Sequence, residues 1–510
     1  MQGGLQLAVP AAPGAQCGQL KRRGSGWLDR RIGRESEVPS PPGRRASAGI
    51  PRAAALLAAV LAAGAPASPA VAEGFGSPAV PNVGSPEEAL FPDLAALQDR
   101  LEAQGWLLRG QSTFVLQGNL GFRSPYRGEA SLSPAANARN TSSADLILGR
   151  RLWKGAEVIL DASLTRGFGL SDTHGVGAFP NNEAFRLGTR NFHFFIPRIL
   201  FRQTVALSGD TVENGEDPLR FTEPLPRERI TITAGKMSVW DIFDRNRYAH
   251  DPRTQFLNWA LVGGAGFDYV ADARGWTPGV AVEWENGTWG VRVGAFQVPR
   301  RVNSLFMDPA LTRAWSVLGE VDRFYAVNGR PGAVRLTYGA YRARLSSWGE
   351  LFANGFETFD KNPNGYRLKH NLNLGWEQEL TDDLGAFARL SWNDGRTQNW
   401  MFTEMDRAVS AGLSLRGLRW DRPGDTVGLA ANVGWISEGR RRYLEAGGIG
   451  FITGDGRLSY GPEWATELYY DARVAPGLNV ALNYQLIVNP AYNNDRGPVN
   501  VFALRLRTAF

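Results

Sequence analysis

The sequence predicts an all-β chain, a closed antiparallel transmembrane β-barrel of about sixteen strands with a short N-terminal helix. Three features point there. Polar and apolar residues alternate with a period of two through most of the chain after Ser112. The polar places hold Asn, Glu and Arg, which need water on their face of the sheet. The alternating segments are joined by two kinds of connection, some tight and some long and polar.

The first residues belong to neither helix nor barrel. Arg44, Arg45 and Arg52 precede the apolar run AAALLAAVLAAGA and the small-residue stretch PASPAVAEG, the order of a secretory signal cleaved after Ala72. A membrane anchor would need roughly 20 apolar residues, more than this run supplies. Residues before about position 40 fit no signal, and no methionine lies between Met1 and Met237. The expectation is a leader over 1–72 with a start codon assigned too early, the true start near Val38 and the true signal at about 38–72. The leader holds 9 of the 56 Lys+Arg and 3 of the 50 Asp+Glu, which leaves 47 of each sign. The basic balance therefore makes no case for nucleic acid as a partner. Cys17, the one cysteine, lies in the leader, so the remainder has no disulfide or thiol chemistry.

Residues 73–105 read as a Gly/Pro/Ser-rich linker and a helix. FPDLAALQDRLEAQG sets Leu94, Leu97 and Leu101 at helical spacing, with Gly105 as the stop, and its expected place is the periplasm or a pore mouth. The barrel is expected over 106–510. VAVEWENGTWGVRV is a hairpin around Asn286-Gly287, with Val280, Val282 and Trp284 opposite Glu283 and Glu285. LKHNLNLGWEQEL sets Leu372, Leu374, Trp376 and Leu380 against Asn371, Asn373, Glu377 and Glu379. AFARLSWND puts Phe387, Arg389, Ser391 and Asn393 opposite Ala386, Ala388, Leu390 and Trp392. LNVALNYQLIVN alternates in the same way. The chain ends on Phe502, Leu504, Leu506, Thr508 and Phe510 as one stripe, with Arg505 and Arg507 on the other face; a strand that closes a barrel cannot fray.

A soluble sandwich would alternate too. Segments such as 365–380 and 457–473 exceed the usual strand of about 5–6 residues and suit a crossing of about 9–11. Trp153, Trp276, Trp289, Trp400, Trp420 and Tyr469 fall near segment ends, where interfacial girdles sit. LTDDLG, RPGD and VAPGL read as tight turns, and 121–142, 167–190, 239–257, 346–364 and 438–456 as long outer loops. Counting from Ser112 gives seventeen strands. Bacterial single-chain barrels have an even number, so sixteen is expected, with Thr113 or Gly319–Tyr325 as candidates for the surplus segment. The sidedness of loops between Gly235 and Gly290 stays open.

NPAYNNDRGPVNVFALRLRTAF at the C-terminus, ITAGKMSVWDIFDRNRYAHDPRTQFLNWAL and GEVDRFYAVNGRPGAVRLTYGAYRARLSSWGE together resemble the carbohydrate-selective porins of the OprB family, over about Phe91 to Phe510. The resemblance implies a sixteen-stranded barrel in the outer membrane of a Gram-negative bacterium. Sugars, mono- and small oligosaccharides, would diffuse through it passively and without a cofactor. It also implies contact with outer-membrane lipid and lipopolysaccharide. The terminal Phe510 resembles the signal read by the barrel-assembly machinery. Porins of this size occur as monomers and as trimers, so a homotrimer stays open.

Sugar passage needs donors and acceptors for hydroxyls and aromatic planes for ring faces, and binding weak enough to release. The densest cluster of such groups is WDIFDRNRYAHDPRTQFLNW, with Asp241, Asp244, Arg245, Arg247, Tyr248, Asp251, Arg253, Gln255, Asn258 and Trp259 as candidate constriction residues. Folded inward, it makes either a constriction or a clamp that pins the loop to the wall; residue types alone do not separate the two. Glu377, Arg389, Asn393, Arg505 and Arg507 are pore-lining by alternation. A general or anion-preferring porin is the alternative reading. His174, His193, His250 and His370 show no metal-ligand spacing, and no nucleophile or phosphate-loop motif occurs, so neither a metal site nor an enzyme is expected.

Overall fold

The computed structural model describes residues 90–185, 188–214, 217–353, 365–399 and 403–510. The leader, the linker to residue 89 and Trp400 lie outside the described residues.

Helix α1 (Pro92–Ala103) starts on a proline and stops before Gly105, whose φ of +77° turns the chain into the first strand. The strands follow in order: β1 (Trp106–Asn119), β2 (Asn137–Trp153), β3 (Ala156–Gly167), β4 (Thr189–Ala206), β5 (Thr211–Val212), β6 (Leu225–Pro226), β7 (Arg229–Met237), β8 (Thr277–Glu285), β9 (Trp289–Phe296), β10 (Trp315–Val327), β11 (Arg330–Arg344), β12 (Tyr366–Glu379), β13 (Leu384–Asn393), β14 (Arg407–Gly417), β15 (Arg422–Trp435), β16 (Glu463–Ala475), β17 (Leu478–Val488) and β18 (Val499–Ala509). β5 and β6 pair only with each other. The other sixteen are antiparallel neighbours in a closed ring, and β1 pairs with β18 from Gln111–Ala509 to Asn119–Val501.

Closure satisfies the backbone of every strand, the condition for crossing hydrocarbon. The alternation then sorts itself. On β17 Leu482 is 63% exposed and faces outward, while Asn483 beside it is buried inward. On β18 Phe502 and Leu506 face out, and Arg505 and Arg507 face in. The tight turns are built locally. At Asn286-Gly287 the glycine takes φ +80°, and the side-chain Oδ1 of Asn286 accepts the N–H groups of Thr288 and Trp289 at 3.0 and 2.8 Å.

Several expectations are corrected. Thr113 lies in β1 and Gly319–Tyr325 in β10, so neither is the surplus segment. RPGD opens β15, and the turn falls one step earlier at 418–421, where Asp421 supplies the left-handed residue (φ +57°). β16 starts at Glu463 rather than 457. The loop expected at 239–257 runs from 238 to 276, because residues 258–276 pack inside the barrel instead of forming a strand. With sixteen strands the sidedness resolves: this loop leaves the same end as the other long loops, taken as extracellular. One long connection breaks the habit of short turns, the excursion 207–228 between β4 and β7, which carries β5 and β6 at the periplasmic end.

Two aromatic residues are not girdle anchors. Tyr469 falls on the inward parity of β16 and packs edge-on against Phe256 at 5.0 Å. Trp276 is the last loop residue before β8, free of strand alternation, and packs against Phe195 at 5.4 Å with the Arg198 guanidinium 5.7 Å from its ring. Trp153 is exposed at the periplasmic end, and Trp289 and Trp420 sit beside turns at that end.

Because Leu482 lies mid-strand on the outward face, Leu482→Arg should destabilise the barrel by about 2–4 kcal/mol, read by urea unfolding in lipid vesicles. Leu482→Ile should change it little.

Candidate functional site

Loop 238–276 has almost no secondary structure, so its backbone N–H and C=O groups need partners inside the lumen. The inward residues of β10–β18 provide them, and they do so by charge. Carboxylates take the N–H groups: Glu320 that of Asp244 at 2.8 Å, Glu377 that of Arg247 at 2.7 Å, and Glu467 those of Leu257 and Asn258 at 2.8 and 2.9 Å. Arginines and an amide serve the carbonyls. Arg389 donates to Leu261 and Ala249 at 2.9 and 2.6 Å, Arg505 to Pro252 and Gln255 at 2.7 and 2.6 Å, and Asn393 to Gly266 at 3.0 Å. Asp244, fully buried, accepts from Arg389 at 3.1 Å and from the Gly264 N–H at 3.0 Å. Close approach demands glycine: a Cβ on Gly264 would stand 2.4 Å from the Asn373 side chain, and one on Gly266 2.8 Å from the Ser391 carbonyl.

The backbone of the loop is thus fastened to the β10–β18 side of the barrel, and the loop meets the opposite wall through side-chain ion pairs. On the other side, between the loop and the wall formed by β1–β4 and β7, a cavity of about 320 Å³ remains. Its polar surface holds several arginine–carboxylate pairs beside Gln111, Asn182, His250 and Thr254. Arg198 bridges Asp161 and Asp241 at 2.8 and 2.7 Å; Arg253 bridges Asp145 and Glu183, the latter at 2.9 Å; Arg202 meets Glu157. Excursion 207–228 enters from the periplasmic end and brings Asp217 to Arg220 and Arg245, at 3.6 and 3.7 Å. Trp240, Trp259, Trp276 and Tyr269 supply aromatic surface.

A family profile described as "Carbohydrate-selective porin, OprB family" matches residues 129–510. The chain belongs to that family. It is therefore a carbohydrate channel of the Gram-negative outer membrane. Among solved structures the porin is similar to OprB of Pseudomonas putida at high pH, with 18% identity over 86% of this chain and all of that one and a TM-score of 0.63, which shows a shared fold. It is also similar to the low-pH form of that protein (15% identity, 86% of this chain and 100% of that one, TM-score 0.47). A third structure is the outer-membrane channel DcaP of Acinetobacter baumannii (11% identity, 79% and 97%, TM-score 0.44). A search of curated proteins finds no match.

The candidate residues of the porin divide between the two sides. Asp241, Arg245, Asp251, Arg253, Trp259 and Arg507 line the cavity. Asp244, Gln255, Asn258, Glu377, Arg389, Asn393 and Arg505 point inward but lie buried beneath or within the fastened loop. Asn258 donates to Gln485 and to the Ala178 carbonyl, and Gln255 receives the N–H of His250. Arg247 reaches Glu379 at 3.4 Å, and Tyr248 lies against the backbone of Gly385. Several cavity residues were not singled out from the sequence. Arg198 and Arg202 share the inward parity of β4 with Leu200, a signal present in RILFRQ. Asp217 and Arg220 gave no such signal, since an inward-folding periplasmic excursion has no local pattern.

The excursion is docked by two carboxylates. Burial acts to raise Asp217, but Arg220 and Arg245 hold it below its ordinary 3.8. Glu102 of α1, likewise opposed by burial, is held below 4.5 by the Thr222 N–H and hydroxyl and by Arg109. Their native pKa values are depressed, so their contribution is complete above the ordinary values and lost only as pH falls below them. Limited pepsin digestion should leave 207–228 intact at about pH 4.5 and nick it below about pH 3. Cleavage already at the higher pH would contradict this docking.

Proposed function

We propose that sugars cross this porin along the β1–β4 and β7 side of the lumen, through the cavity left open by loop 238–276. The observation that carries the reading is the composition of that cavity: guanidinium–carboxylate pairs that can open toward hydroxyl groups, facing Trp240, Trp259 and Trp276. Such pairs offer two donors and two acceptors in fixed planes, the pattern of a vicinal diol, and neutralise each other when no sugar is present. The aromatic faces match the apolar faces of a pyranose. Since each arginine is already partnered, a sugar gains only the difference between two hydrogen-bonded states, so occupancy is brief and flux continues. Passage is by diffusion and uses no catalytic residue or cofactor. The cavity residues of the candidate constriction, with Arg198, Arg202 and Arg220 added, form the selective path. The fastened residues set how much of the lumen the loop fills. Phe510, whose ring lies over Gly110 of β1 at the seam, serves as the C-terminal residue recognised during barrel assembly.

Glucose added to a planar bilayer holding this porin should reduce its ionic current in a saturable way. Trp276→Ala should weaken that block about threefold to tenfold without closing the channel. Glucose uptake by swelling liposomes that neither saturates nor responds to this substitution would overturn the assignment of the path.

A further inference from the structure

We propose that the extracellular rim of β9–β12 binds a phosphate-bearing glycolipid of the outer leaflet. On the outward face of β11 the file Tyr338, Ala340, Arg342, Arg344 climbs toward the extracellular end, its members about 6.8 Å apart. It rises out of an apolar belt: Val317 on β10 and Leu368 and Leu372 on β12 are exposed beside it. The two arginines therefore stand where hydrocarbon gives way to headgroups.

The two guanidiniums differ in their partners. Arg344 is exposed and pairs with the buried Asp308 at 3.3 Å, and the Tyr366 hydroxyl donates to the same carboxylate oxygen at 2.8 Å. Both arginines lie over the Tyr366 ring, Arg342 at 5.8 Å and Arg344 at 5.0 Å, and Arg342 forms no ion pair among the described residues. The ring thus holds two guanidiniums side by side, with Asp308 the one carboxylate described beside them. The β9–β10 connection, residues 297–314, adds exposed Arg300 and Arg313, and Asp308 is its sole acid. The same connection leaves Phe306 74% and Leu311 60% exposed.

A free anion would explain the arginines but not the phenylalanine and leucine next to them. A lipid carrying phosphate on a sugar headgroup matches both, with phosphates against the guanidiniums and acyl chains against Phe306, Leu311 and the belt below. The barrel wall separates this rim from the sugar path, so the two functions are independent.

Native mass spectrometry of the detergent-solubilised porin with bisphosphorylated lipid A, with its dephosphorylated form and with phosphatidylethanolamine tests the proposal. The wild type should retain the bisphosphorylated lipid preferentially. The double variant Arg313→Gln/Arg342→Gln, which removes no described ion pair, should lose about 30-fold in apparent affinity, while glucose uptake is unchanged. If that variant fails to fold, as judged by heat-modifiable gel migration, Arg313→Lys/Arg342→Lys should fold and keep the preference. Equal retention by the wild type and the glutamine variant overturns the proposal. So does equal retention of phosphorylated and dephosphorylated lipid, or a second copy of the chain covering this rim.

Discussion

A polypeptide backbone cannot leave its N–H and C=O groups without partners, and that constraint shapes this molecule twice. In the wall it forces closure, so that β1 finds β18 and no edge faces hydrocarbon. In the lumen it acts again, on a long loop with almost no ladder of its own. There the wall's ionised side chains replace the missing strand partners, Glu320, Glu377 and Glu467 for the donors and Arg389 and Arg505 for the acceptors. Each of these charges is buried, and each is stabilised by the backbone group it serves.

Fastening the loop to β10–β18 fixes where the channel lies. The remaining space adjoins β1–β4 and β7, and there the Arg198 and Arg253 guanidiniums are held by carboxylates rather than by backbone carbonyls. That difference separates scaffold from path. A guanidinium bound to buried carbonyls cannot turn to a solute without unfolding the loop. One held by a carboxylate at the cavity surface can exchange part of its hydrogen bonding with a hydroxyl as water leaves. The lumen thus joins a rigid half with an exchangeable half.

The barrel was legible in the sequence because its signal is local: a two-residue period, Asn-Gly turns and an ordered terminal strand ending on Phe510. Strand counting with an even total gave sixteen, and the resemblance to the OprB family agreed with it and added the solute. The site was half legible. Alternation assigned Glu377, Arg389, Asn393, Arg505 and Arg507 to the inside, but it is silent on which inward residues meet water and which meet a loop. Arg505 and Arg507 show the limit, two residues apart on one face, the first holding carbonyls of the loop and the second lining the cavity. The part played by 207–228 was invisible, since long connections are expected on the outer side and this one enters from the other. Trp276 and Tyr469 misled for a related reason: aromatic residues near segment ends suit a girdle, yet the last residue of a loop and an inward strand position both point into the lumen.

The described chain contains no cysteine, so single cysteines can map the lumen directly. Gln111 lines the cavity, and Thr337 is fully buried on the fastened side, where it donates to Glu320 at 2.6 Å. In a planar bilayer a water-soluble methanethiosulfonate should react with Gln111→Cys and lower both the ionic current and its block by glucose, and should leave Thr337→Cys untouched. Rapid modification of Thr337→Cys with Gln111→Cys inert would place the open path on the other side and contradict the account.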